Sequence, residues 1–92
     1  MPSYSALITG AAKRIGRQLA LDLAEVGYDI AVHCNTSLVE AQEVVSLIKA
    51  KGRRSVVVQG DLASIDTPER IIVEATLAIG PLDLLINNAS IF

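Results

Sequence analysis

The sequence predicts an α/β fold, a doubly wound parallel sheet laid down in the order βαβαβαβ. Three observations lead there. Four short apolar runs, at residues 6–8, 29–33, 55–59 and 84–86, alternate with three stretches of helical period. The chain is 51% hydrophobic but only 3% aromatic, the load expected of strands covered on both faces. Each gap between runs has room for a crossover helix, so the strands should be parallel and their connections right-handed.

The elements follow in order. Ala6, Leu7 and Ile8 form a short buried strand. From Ile15 the period changes: Ile15, Leu19 and Leu23 recur every four residues, Ala20 and Val26 widen the stripe, and Gly27 stops the helix. Residues 29–33 are the second strand. Residues 37–50 read as the second helix, with Ser37 as N-cap and Glu40 three positions on in a capping-box pattern. Val44, Val45 and Ile48 give it an apolar side and Gly52 ends it. Residues 55–59, rich in valine, make the third strand, and Gly60-Asp61 turns out of it. Thr67-Pro68-Glu69 opens the third helix, because proline in the first helical position loses no needed hydrogen bond. Ile71, Ile72, Ala75, Leu77, Ala78 and Ile79 make that helix apolar, and Gly80-Pro81 closes it. Residues 84–86 are the fourth strand.

This order fits a Rossmann-type half with spatial strand order 3-2-1-4. Strands 1 and 4 then flank the switch point, where ligands bind outside the carboxyl ends of the strands. The loops at residues 9–16 and 87–92 both emerge there. Strand 4 is left with a free apolar edge, an association hazard unless something covers it. Ninety-two residues suit one unit, read as the N-terminal cofactor-binding portion (1–92) of a single domain that is incomplete at its C-terminus.

Charge and composition exclude several classes. The formal net charge is -2 with acids and bases mixed, so no basic stripe marks a nucleic-acid backbone partner. Lys49, Lys51, Arg53 and Arg54 form one basic cluster, read as a solvated helix end. Cys34 is the only cysteine, so no internal disulfide can form. No signal-peptide pattern opens the chain, and no apolar run reaches the roughly 18 residues of a spanning helix. The expectation is a soluble cytoplasmic protein with no membrane or nucleic-acid partner.

The loops carry the chemistry. Gly10 can turn tightly, and Gly16 lets the first helix approach the sheet closely, leaving first-turn N–H groups for phosphate oxygens. A Gly-Lys-Ser/Thr ending is missing, which excludes a nucleotide-triphosphatase phosphate loop, and the spacing departs from Gly-x-Gly-x-x-Gly. A dinucleotide pyrophosphate site and a plain structural turn both fit. An acid about 20 positions beyond the glycines would select the non-phosphorylated cofactor. His33-Cys34-Asn35-Thr36-Ser37 holds none. Lys13 and Arg14 add positive charge, and Asn35, Thr36 and Ser37 can donate to a 2′-phosphate; the other reading is a polar loop leading to a helix cap. His33 belongs to this cofactor-facing segment or is a packed ring, and no second histidine joins it in a metal site. Asp61 meets an adenine amino group, with Leu62 packing nearby, or caps a local turn. Of Asn87 and Asn88, one ties neighbouring loops together and the other faces the cofactor.

Three signatures, Thr9-Gly-Ala-Ala-Lys-Arg-Ile-Gly16, Asp61-Leu62 and Asn87-Asn-Ala-Ser90, resemble the short-chain dehydrogenase/reductase family across the whole chain. The family commonly has glycine where this chain has Arg14 and Ser90, and both departures resemble the pteridine reductase branch. The resemblance implies an NADP(H)-dependent reductase acting on a pterin or a related unsaturated or carbonyl compound. Gly10, Lys13, Arg14, Ile15, Gly16, His33, Asn35, Thr36, Ser37, Asp61, Leu62, Asn88, Ala89 and Ser90 would then line the NADP site. Arg14, Ser90 and Phe92 would meet the substrate, Phe92 by stacking; its other reading is a hydrophobic plug. A basic residue is common in the family where this chain has Thr36, which puts more of the phosphate binding on Lys13 and Arg14. The family's catalytic serine, asparagine and Tyr-x-x-x-Lys pair would come from later in the polypeptide than residue 92. Residues 1–92 alone are therefore expected to be inactive, and the parent to be a homo-oligomer, commonly a tetramer in the family. The non-enzymatic alternative is a Rossmann-like nucleotide-binding or interaction domain.

Overall fold

The computed structural model describes residues 3–89. Ser90 and Phe92, read above as cofactor and substrate contacts, lie outside these residues. The elements are β1 (Tyr4–Ile8), α1 (Arg14–Glu25), β2 (Tyr28–Cys34), α2 (Leu38–Ala50), β3 (Ser55–Gln59), α3 (Thr67–Ile79) and β4 (Leu84–Ile86). The sheet order is β3-β2-β1-β4 and every pairing is parallel, as the sequence predicts. Ile8 registers with Val32 on one side and Ile86 on the other, so β1 and β4 end level and release their loops together.

Strand side chains alternate between faces, and the two faces build two cores. Ala6, Ile8, Ile30, Val32 and Cys34 pack under α1 and α2 with Ala20, Ala24, Val44 and Ile48. Leu7, Ala31 and Val58 pack under α3 with Ile71, Ala75 and Ile79. β2 lies between β1 and β3 and is buried along its length after Tyr28, which explains the apolar run at residues 30–32.

Two helices bury narrower faces than their hydrophobic periodicity predicts. In α1 the buried residues are Gly16, Ala20 and Ala24, while Ile15 and Val26 are each 71% exposed. Side chains this small let the helix lie close against the sheet, and Leu19 and Leu23 flank the contact half-buried. In α3 the buried stripe is Thr67, Ile71, Ala75 and Ile79 at four-residue spacing; Ile72, Leu77 and Ala78 face outward. Ser37 does occupy the N-cap position of α2, but its side chain makes no capping hydrogen bond. Glu40 reaches across to Lys13 instead, at 3.6 Å.

The basic cluster is not simply a solvated helix end. Asp29, buried at the start of β2, pairs with Arg53 and Arg54 at 3.1 Å each and accepts the Arg54 backbone N–H at 2.9 Å. Arg54 also donates to the Ile79 carbonyl at 3.0 Å, fastening the end of α3 to the same point. Lys51 pairs with Glu25. This polar clamp holds the end of the sheet opposite the ligand loops.

Candidate functional site

At the carboxyl ends of β1 and β4 one hydroxyl organises two loops. Thr9 Oγ1 accepts the N–H groups of Asn88 (2.9 Å) and Ala89 (3.0 Å) and donates to Asn87 Oδ1 (3.1 Å). That uses its single proton and both lone pairs. The Thr9 N–H donates to the Ile86 carbonyl at 3.0 Å, and Asn88 Nδ2 donates to the Gly10 carbonyl at 3.2 Å. Both asparagines therefore tie loops together. Thr9 stands in the first signature with no role assigned from sequence, because its bonds cross 77 to 80 positions.

Gly10 and Gly16 meet in space. Gly10 has φ 62°, and a Cβ there would sit 3.0 Å from the Ala89 Cα. A Cβ on Gly16 would overlap the Gly10 carbonyl oxygen and lie 2.6 Å from Asn88 Nδ2. The first turn of α1 is thus pressed onto the loop, with backbone on both sides of the contact.

His33 is 2% exposed, and both ring nitrogens are engaged. Nδ1 accepts the Gly10 N–H at 3.0 Å, and Nε2 lies 2.8 Å from the Gly60 carbonyl. Its own carbonyl accepts the Ala11 N–H at 2.8 Å. The ring acts on the loop and offers no spare nitrogen to a ligand. Burial lowers its pKa from the ordinary 6.5, with the Gly60 carbonyl pulling weakly the other way. Next to it, burial and the Glu40 carboxylate raise the Cys34 thiol, which keeps it protonated and unreactive.

The entrance to α1 favours an anion. Its first intrahelical bond runs from the Arg17 N–H to the Lys13 carbonyl, so the N–H groups of Arg14, Ile15 and Gly16 precede the hydrogen-bonded run. No acid lies in this first turn, whereas α2 and α3 carry Glu40 and Glu69 in theirs. Lys13 is exposed and shares its charge with Glu40. Arg14 is exposed and joins no ion pair among the described residues. It holds the left-handed φ of 57°, alone among described non-glycine residues. Asn35 and Thr36 are exposed beyond β2 and Ser37 is half-buried, its hydroxyl not used as a cap. The donors named from sequence thus lie together at the ends of β1 and β2.

Asp61 caps a local turn: Oδ1 accepts the Ala63 N–H at 2.9 Å. Leu62 packs on the core under α3 and lines a groove of about 350 Å³ with Leu7, Ile71 and Leu85. Thr9, Asn87 and Ala89 supply its polar rim. Mostly apolar walls with a few convergent polar groups are the usual make-up of a small-molecule site. Among the described residues no cluster of His, Cys, Asp and Glu could hold a metal ion, and no helix is long and apolar enough to cross a membrane.

Comparison with known proteins places this geometry. The short chain dehydrogenase family profile matches residues 4–92. A 3-oxoacyl-[acyl-carrier-protein] reductase, FabG, of Staphylococcus aureus is 47% identical over 87 residues, covering 95% of this chain and 35% of that protein. The crystal structure of FolM alternative dihydrofolate reductase 1 from Brucella suis in complex with NADP superposes with a TM-score of 0.90 at 40% identity, over 97% of this chain and 37% of that one. A short chain dehydrogenase from Burkholderia cenocepacia J2315 in complex with NADP gives 0.92 at 39% identity, over 97% and 36%. The chain spans about a third of the length of the proteins it matches.

Proposed function

The chain belongs to the short chain dehydrogenase family, and from that membership we propose that the protein is an NADP(H)-dependent oxidoreductase whose cofactor half is the unit described above. The observation that carries this reading is the acid-free entrance to α1, pressed against Gly10 and flanked by Lys13 and Arg14. First-turn N–H groups and the helix dipole there suit a pyrophosphate. No acid follows β2 to hold a ribose 2′-hydroxyl; Asn35, Thr36 and Ser37 stand in its place, and a 2′-phosphate suits these donors better. Four of the solved relatives are complexes with NADP, which supports the same choice.

These residues fit the cofactor, and the part of each is specific. Gly10 and Gly16 admit the pyrophosphate, Arg14 supplies the main free cation, and Leu62 offers an apolar wall for adenine. Thr9, Asn87 and Asn88 hold the two loops to each other beside the entrance to α1. When bound, the cofactor would supply a hydride; the proton would come from the family's Tyr-x-x-x-Lys pair elsewhere in the polypeptide.

For the substrate we favour a pterin or similar flat ring. Arg14 in the position where the family commonly has glycine supports this, as does the likeness to the FolM structure. Ser90 and Phe92 would complete that subsite. The 47% identity to a 3-oxoacyl reductase supports a second reading, reduction of a carbonyl in an acyl thioester. Steady-state assays of the full-length protein with dihydropterins and with acetoacetyl thioesters separate the two. The parent is proposed to be a cytoplasmic homo-oligomer, and a purely nucleotide-binding domain is the alternative that turnover on either substrate would eliminate.

Isothermal titration of the full-length protein should show NADPH binding more tightly than NADH, and a clear preference for NADH would sink the 2′-phosphate reading. Arg14→Ala should weaken NADPH about tenfold or more, the worth of a charge-assisted hydrogen bond of about 1.5–3 kcal/mol. Arg14→Gly isolates the cause. It loses the same cation but frees a left-handed position that costs a side-chain residue about 1–2 kcal/mol. This variant should bind NADPH as poorly as Arg14→Ala while melting no lower than the unsubstituted protein. NADPH affinity unchanged in both variants would make Arg14 an ordinary exposed residue.

A further inference from the structure

We propose that His33 is the positioning residue of the glycine loop and that it holds the loop in its phosphate-ready shape only as the neutral Nε2–H tautomer. The inference rests on reading that loop as a dinucleotide site. A backbone N–H can only donate, so the bond from Gly10 at 3.0 Å requires a bare Nδ1. A backbone carbonyl can only accept, so Gly60 at 2.8 Å requires the proton on Nε2. The two partners fix one tautomer of a ring that is 2% exposed. With its carbonyl bound to the Ala11 N–H, the same residue takes the Gly10 and Ala11 donors out of play. The phosphates are left to the first turn of α1, and the β1–α1 loop is joined through the ring to the end of β3.

A proton on Nδ1 would set two N–H groups against each other across 3.0 Å. Either the ring turns or Gly10 leaves it, and the Gly10 carbonyl that Asn88 holds moves too. Among the described residues no carboxylate pairs with the ring. Lys13 and Arg14 on the loop are cations. Asp61 after β3 is bound to the Ala63 N–H, and Arg70 of α3 to the Gln59 carbonyl and Glu74. On the opposite face of β2, Cys34 lies near Glu40 of α2. Burial is the dominant influence on the ring and holds its titration below 6.5. The stability contributed by the neutral ring is therefore complete above 6.5 and is lost as pH falls from there through the folded value.

Two measurements on the full-length protein test this. Ring nitrogen NMR shifts of the cofactor-free protein should show the Nε2–H tautomer at neutral pH, and the Gly10 amide should titrate with the ring. An Nδ1–H tautomer, or a Gly10 amide that ignores the ring's titration, overturns the proposal. NADP⁺ affinity is then followed from neutral pH downward through the titration midpoint that the ring's own NMR shifts report. In His33→Asn the amide oxygen superposes on Nδ1 and keeps an acceptor for Gly10 with no proton to gain. The unsubstituted protein should lose about tenfold more affinity over this range than His33→Asn. The cofactor's own phosphate titrates equally in both, so parallel curves overturn the proposal. Failure of NADP⁺ to bind at neutral pH overturns the cofactor reading instead, and the ring and Gly10 signals then decide the positioning role alone.

Discussion

Gly16→Ala should destabilise the protein by about 1–3 kcal/mol and strip it of most of its NADP(H) affinity. Two effects oppose each other. Alanine is the better helix former by about 1 kcal/mol. The added methyl, however, would overlap the Gly10 carbonyl oxygen and lie 2.6 Å from Asn88 Nδ2 and 3.0 Å from the Ala11 Cα. These neighbours are backbone, or a side chain already bonded to that backbone, so none can swing aside. The clash wins, and relief comes only from lifting α1 off the loop. The same movement carries the Arg14, Ile15 and Gly16 N–H groups away from the phosphate position, at about tenfold in affinity for each charge-assisted bond lost. Urea unfolding and calorimetric titration read the two losses separately. A variant as stable and as tight-binding as the parent would show that the helix entrance is not held against Gly10.

Asp29→Ala should cost about 3 kcal/mol of stability with little direct effect on cofactor affinity. The carboxylate is 3% exposed and bonds Arg53, Arg54 and the Arg54 N–H. Removing one partner of a buried ion pair leaves the other uncompensated, at about 3–5 kcal/mol. The lower end applies because the Arg54 side chain is 62% exposed and water can take over part of its solvation. Arg53 is the costlier survivor, since its Nε is buried without a partner even in the intact clamp. Asp29→Asn keeps an acceptor for the Arg54 N–H and should recover part of the loss. Denaturant midpoints of both variants check this, and a change below about 0.5 kcal/mol, the scale of a surface substitution, would show that the clamp adds nothing.

The contrast between these two sites shows what a sequence discloses. The element order, the 3-2-1-4 sheet and the loops at the switch point follow from period and punctuation, which are local properties. The face of α1 does not. Its apolar period marks Ile15 and Val26, but distance to the sheet selects Gly16, Ala20 and Ala24, and that distance is a tertiary quantity. Ser37 and Glu40 fit a capping box by spacing, yet Glu40 pairs with Lys13 from another element. The basic cluster reads as solvated because its acid, Asp29, lies 25 positions away in a run that otherwise looks like core. By sequence Asp61 fits two roles, and an Asx turn, a local motif, describes its geometry. His33 carries the least sequence signal of the site residues; only the fold brings Gly10 and Gly60 to its two nitrogens.

Thr9 has a consequence in time. Its hydroxyl receives the Ala89 N–H from 80 positions downstream. At about 5–20 residues per second, a ribosome delivers that partner some 4–16 s after Thr9 itself. Within residues 3–89 the glycine loop is made before its partners and takes its shape only after them. During that interval the apolar β1 lacks one neighbour, and the loss of chain entropy in closing so long a loop delays the pairing further. The loop that would hold a nucleotide is not fixed until β4 has docked, so the order of synthesis sets cofactor capture after that pairing.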